Sequence, residues 1–147
     1  MYTLIVAMML SVAGWSNAGL AQAIAYVVTH DATPTGWTPE LAAAVLVVTA
    51  HEESRFGANA KRGDVGMRGR VASVCAFQIA ATTEARARLL EMDLIACTRA
   101  ALAIVRITVD RALCVDAPLA PYCGGCGNAA ARAISARRMS AARALAR

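Results

Sequence analysis

The stretch TPELAAAVLVVTAHEESRFG, residues 38–57, decides how the rest of the chain is read. Thr38 suits a helix N-cap, Pro39 the first helical position, and Glu40 the positive end of the helix dipole. Over 41–50 the predicted helix is apolar on every side, which in so short a run implies burial in a protein core rather than a membrane span. Glu52 and Glu53 then stand at its end, before a loop over 57–69 rich in glycine, arginine and lysine. Neighbours on a helix point about 100° apart, so the two acids do not face each other as a carboxylate pair. Glu52 continues the stripe Leu41, Val45, Val48, whereas Glu53 continues Leu46, Thr49 and leads on to Phe56.

Outward from this helix, Pro34, Gly36 and Pro39 separate it from a preceding helix over 18–29. Downstream, 71–79 alternates over a few residues, compatible with a small strand or an irregular segment. Thr82 or Thr83 caps a helix to about Glu91, and Asp93 caps a longer one from Leu94 to about Cys114, apolar enough to be the central helix. A turn region over 114–128 leads to a last helix capped by Asn128. The expected class is mainly α: a single domain with a long buried central helix and at most a minimal sheet.

At 147 residues, one core is expected, and 35 alanines favour helix. The first charged side chain is Asp31. Residues 1–30 therefore form a hydrophobic N-terminal segment, either an export signal or a retained helix, ahead of a domain over 31–147. The apolar run over 4–14 has signal-peptide length and Ala18 ends a small-residue SNA, but a basic n-region is missing. Membrane contact is expected only through this segment.

The net charge of +5 favours an anionic partner: nucleic acid, lipid headgroups or the acidic peptides of bacterial cell wall. Arg132, Arg137, Arg138, Arg143 and Arg147 crowd the last sixteen positions and read as a solvated helix face. Nucleic acid ranks last, because none of the seven aromatic residues lies in that helix and no zinc-finger or RNA-binding motif is present. Five cysteines point to an oxidising compartment, with up to two bridges and one thiol left over. Cys123 and Cys126 form a C-x-x-C, but zinc would want four ligands and a redox motif a βαβ setting, so structural disulfides are preferred.

Adjacent to the acids, His51 and Glu52 begin a zinc-protease pattern that fails at Arg55, where the second histidine must stand. Ser54 has no glycine elbow or preceding strand. A carboxyl held against apolar side chains, by contrast, loses hydration when ionised, keeps its proton near neutrality and can donate it to a leaving oxygen, as glycosidic cleavage requires. The plain alternative is an exposed glutamate neutralised by Arg55 or by Lys61 and Arg62.

Taken in order, ESRFGANAKRGD (53–64), CAFQI (75–79) and LAPYCGGCG (119–127) resemble the lysozyme-like domain of soluble lytic transglycosylases and goose-type lysozymes. The likeness covers roughly 39–147. It implies that Glu53 acts as general acid and then base on the bond between N-acetylmuramic acid and N-acetylglucosamine of peptidoglycan. Ser54, Gln78 and Tyr122 would line the sugar cleft, with Tyr122 near the acid, and neither metal nor cofactor is implied. Each has a plain reading too: Ser54 as a helix-end polar residue, Gln78 as a surface amide, Tyr122 as a turn aromatic. The chain departs from the family in a longer segment between Glu53 and Gln78 and in Cys123 after the tyrosine. Asp64 is a candidate second carboxylate: at about 6.5 to 9.5 Å from Glu53 it would activate water and give an inverting hydrolase, and otherwise the sugar's own hydroxyl closes an anhydro product. A salt-bridged surface turn is the other reading of Asp64. With this fold guessed, Cys75–Cys97 and Cys114–Cys126 are one pairing, which leaves Cys123. The expected setting is a secreted or envelope protein of the periplasm, or a component of a phage virion, acting on glycan strands. The alternative is a noncatalytic wall-binding or virion structural protein with the same fold.

Overall fold

The computed structural model describes residues 1–57, 61–62 and 72–147. Those residues form a mainly helical molecule: α1 (Tyr2–Ala13), α2 (Ala18–His30), α3 (Pro39–Ser54), β1 (Lys61–Arg62), β2 (Ala72–Val74), β3 (Ile79–Ala81), α4 (Glu84–Met92), α5 (Leu94–Asp110), α6 (Ala120–Cys123) and α7 (Ala129–Leu145). The three short strands make one antiparallel sheet in the order β1-β2-β3. The mainly α class with a minimal sheet is therefore the observed one.

Side-chain caps place most of these helices. Asn17 accepts from the Leu20 amide, Thr38 from Leu41, Thr83 from Arg86, Asp93 from Ile95 and Ala96, and Asn128 from Ala130 and Ala131. Each satisfies amides that the helix itself leaves unbonded, worth about 1 kcal/mol apiece.

The central position belongs to α3, where every residue over 42–50 is buried among α1, α2, α5 and α7. The helix expected over 94–114 begins at Leu94, as read, but ends at Asp110 and buries a single face made of Cys97, Thr98, Ala101, Leu102, Val105 and Thr108. It stops where Ala112 turns to φ 47 and Cys114 leaves to meet Cys126. Residues 1–30 contribute to the same core: Ile5, Met8 and Met9 of α1 and Leu20, Ile24 and Val27 of α2 are buried in it. Gly14, at φ 76, ends α1, and among the described residues no helix is long and apolar enough to cross a membrane.

Strands β2 and β3 pair with Val74 opposite Ile79, so the four residues over 75–78 form the connecting turn. Cys75, Ala76 and Phe77 of that turn are fully buried. The Cys75–Cys97 disulfide ties it to α5, and Cys114–Cys126 joins the segment after α5 to the one before α7. Both bridges are the expected pairs.

Candidate functional site

The site is built where α3 ends. Arg55 and Phe56 both take left-handed conformations, φ 55 and 61, and the Arg55 amide donates back to the His51 carbonyl. Two successive non-glycine residues there are costly, of order 1 kcal/mol or more each, and persist only where the surroundings impose them. The imposing group is Phe56, which is fully buried, meets Trp15 edge-on at 5.4 Å between centroids, and whose carbonyl accepts from the Asn17 amide at 3.1 Å. Packing of one aromatic ring thus sets the direction in which the last turn, with Glu52, Glu53 and Ser54, is presented.

Opposite that helix end stands the turn over 75–78, which contains Gln78 and on which two further expected site residues, Ser54 and Tyr122, converge. The Ser54 hydroxyl is 2.8 Å from the Ala76 carbonyl and 3.1 Å from that of Ala50, and accepts from the Gly57 amide at 3.1 Å. Gln78 donates its amide Nε2 to the Cys75 carbonyl at 3.1 Å, and the Tyr122 hydroxyl donates to the carbonyl of Phe77. Three successive carbonyls are thereby engaged by α3, the turn itself and α6. Cys75 and Gln78 also have positive φ, 62 and 51, so four of the five described non-glycine residues with positive φ belong to the α3 terminus and this turn. Backbone strain concentrated in two facing segments is a pointer to function.

Ser54 accordingly serves as the pin between helix and turn, so its hydroxyl does structural work there. Asp64 lies outside the described residues. The structure brings Ser54, Gln78 and Tyr122 to one turn, with Glu53 beside Ser54 at the helix end.

The apolar surroundings expected of a proton-holding acid are not what Glu53 has: both acids meet arginines of α7. Arg137 grips Glu52 with two bonds, Nε to Oε1 at 3.1 Å and Nη2 to Oε2 at 2.9 Å. Arg138 bridges both acids, Nε to Glu52 Oε2 at 2.8 Å and Nη2 to Glu53 Oε1 at 2.6 Å. Both carboxylate side chains are 21% exposed and that of Arg138 only 6%. Burial pushes the Glu52 carboxyl up, but bonds to Arg137 and Arg138 and their charges outweigh it, leaving its pKa lowered. His51 is also lowered, by burial first and by the charge of Arg55, against an opposing pull from Glu52. Arg55 bonds the His51 ring at 2.9 Å.

A hollow of about 380 Å³ lined by His51, Glu52, Arg55, Ile134, Arg137 and Arg138 opens on the Glu52 side. A larger one, about 550 Å³, lies along α7 beside Val115, Asp116, Ser140, Arg143 and Arg147. Neither hollow is lined by Glu53, Ser54, Gln78 or Tyr122.

The arginine partners are what sequence reasoning missed. In the linear chain the nearest candidates to neutralise the acids are Arg55, Lys61 and Arg62, and the C-terminal arginines have the spacing of a solvated face. Arg137 does remain exposed, but Arg138 is buried. A signal was present: Ala131, Ser135, Met139 and Ala142 mark the buried stripe of α7, and Arg138 falls on it, three residues after Ser135.

No family model, curated protein or solved structure matches the chain.

Proposed function

We propose that this protein is a peptidoglycan-cleaving glycosidase with a lysozyme-like domain, in which Glu53 is the general acid and then the base. The observation that carries the reading is the convergence of Ser54 and Tyr122 on the 75–78 turn that contains Gln78, beside the helix end that bears Glu53. Residues quoted from three separate segments for their resemblance to one family are the ones that meet in space. Two disulfides support action outside the cytoplasm, in the bacterial envelope or on a phage virion.

In this reading Glu53 donates its proton to the oxygen bridging N-acetylmuramic acid and N-acetylglucosamine, and the bond from the anomeric carbon to that oxygen breaks. The attacking hydroxyl then gives up its proton, to the Glu53 carboxylate where the sugar's own hydroxyl attacks, or to Asp64 where Asp64 activates a water. If that hydroxyl is water the product has a reducing end, and if it is the sugar's own the product is an anhydro sugar. Asp64 is the candidate for activating water. Tyr122 and Gln78, held on the turn's carbonyls, keep the wall of the sugar site in register with the acid.

The test is digestion of purified peptidoglycan. Wild-type protein is expected to release soluble fragments, and Glu53→Gln to release none while its helical circular dichroism is unchanged. Mass spectrometry of the fragments distinguishes the two product ends by one water. Full activity of Glu53→Gln, or loss on Glu52→Gln alone, would remove Glu53 from the role.

One observation favours a second reading. The bond between Arg138 and Glu53 is also what a site that no longer transfers protons would retain. A noncatalytic wall-binding or virion structural protein would sediment with peptidoglycan and release nothing.

A further inference from the structure

The geometry points to Arg138 as the positioning residue for Glu53, an inference that rests on the glycosidase reading. Arg138 is 5% exposed, lies on the buried face of α7, and comes from 85 residues beyond the acid it holds. A glutamate has three rotatable side-chain bonds, so an acid at a helix end does not hold one orientation unaided. Here the guanidinium fork fixes it. Nε is anchored on Glu52 Oε2 at 2.8 Å, and the same rigid plane delivers Nη2 to Glu53 Oε1 at 2.6 Å. A lysine, a point charge on a flexible stem, does not reproduce this two-anchor geometry.

Glu52 acquires a purpose in the same arrangement. Its two oxygens are held by Arg137 at 3.1 and 2.9 Å, and its ionised form is favoured, so it is a permanent strut for Arg138. Arg137 and Arg138 share the charge of Glu52, and Arg138 also faces Glu53. As Glu53 passes its proton to the glycosidic oxygen, negative charge grows on a carboxylate that already faces a fixed donor. Such preorganisation stabilises the developing charge without any movement of the protein. Arg138 gives up no proton at any step. Among the described residues, the charged side chains around it include Glu52 and Glu53 with His51 and Arg55 at the end of α3, and Arg137 of α7.

The experiment compares wild type, Glu53→Gln, Arg138→Lys, Arg138→Ala and Glu52→Gln on solubilised glycan strands, with kcat and KM measured separately and Tm recorded for each. Misplacing a reacting group by about 1 Å costs on the order of 100-fold, so Arg138→Lys is expected to lose about 10- to 100-fold in kcat with KM changed by less than about twofold. Arg138→Ala should lose more and regain part of its kcat when guanidinium ion is added at concentrations that leave Tm unchanged. The inference is overturned if Arg138→Lys keeps wild-type kcat, if only KM moves, or if guanidinium ion restores nothing. Should the Arg138 variants not fold, Glu52→Gln decides: it removes one anchor of the fork, kcat should fall at unchanged KM, and an unchanged kcat overturns the proposal. If wild type cleaves nothing, or Glu53→Gln cleaves as wild type does, the glycosidase reading fails and takes this inference with it. An inactive Glu53→Gln beside unaffected Arg138 and Glu52 variants overturns this inference alone.

Discussion

Two glutamates one residue apart have different jobs because a helix turns their side chains toward different partners. Glu52 is bound by two arginines and Glu53 shares the second of them. The consequence for stability is a dependence on acid. Glu52 is depressed below its ordinary 4.5 in the folded chain, so its contribution is complete above that value and is lost as pH falls through the folded one. His51 is depressed below its ordinary 6.5, so the unfolded chain binds protons first and stability falls with pH from 6.5 downward. Both groups act in the same direction over successive windows. Thermal unfolding as a function of pH should therefore show Tm falling on acidification, with the step below pH 4.5 flattened in Glu52→Gln and the one below 6.5 flattened in His51→Gln. A Tm that rises on acidification would contradict both.

Among the elements, α3 combines the clearest sequence signal with a feature that only packing explains. Its cap, its proline and its apolar circumference were legible, since each acts over a few residues. Hidden in that circumference is Thr49, 2% exposed, whose buried hydroxyl has no hydrogen-bond partner among the described residues. A buried hydroxyl without a partner costs about 1 to 3 kcal/mol. Thr49→Val, which keeps the shape and removes the oxygen, is expected to stabilise the fold by about 1 kcal/mol, raising Tm by about 2 to 4 °C. Urea unfolding checks it, and a lower midpoint would mean that the hydroxyl is satisfied. At the other extreme is α7, where arginines spaced along the chain read as a solvated face although one of them is buried. A charge becomes buried only when a partner arrives, and here the partner belongs to α3.

Across the whole molecule, disulfides hold the candidate site to the helical frame. Cys75–Cys97 fixes the turn that contains Gln78 and receives Ser54 and Tyr122, whereas Cys114–Cys126 closes a shorter span with a sequence separation of 12 against 22. Alkylation without reductant should modify one cysteine of five, and all five after reduction and denaturation, as read from intact mass. Loss of either bridge is expected to cost about 3 kcal/mol. If the proposed glycosidase reading holds, replacing Cys75 and Cys97 by serine should reduce glycan cleavage more than replacing Cys114 and Cys126, because the first pair anchors the turn.

The sequence by itself determined the helical class, the capped helix starts and the apolar run over 41–50, whereas Glu53, Ser54, Gln78 and Tyr122 were expected only through the resemblance to a family. Caps, periodicity and composition act locally, so a linear reading captures them. Tertiary structure alone decided that α3 rather than α5 is central, that Ser54 pins a turn, and that Arg138 joins the two acids. The reason is physical: whether a side chain is a strut, a pin or a solvated charge depends on what packs against it, and the partner of Glu53 lies 85 residues away.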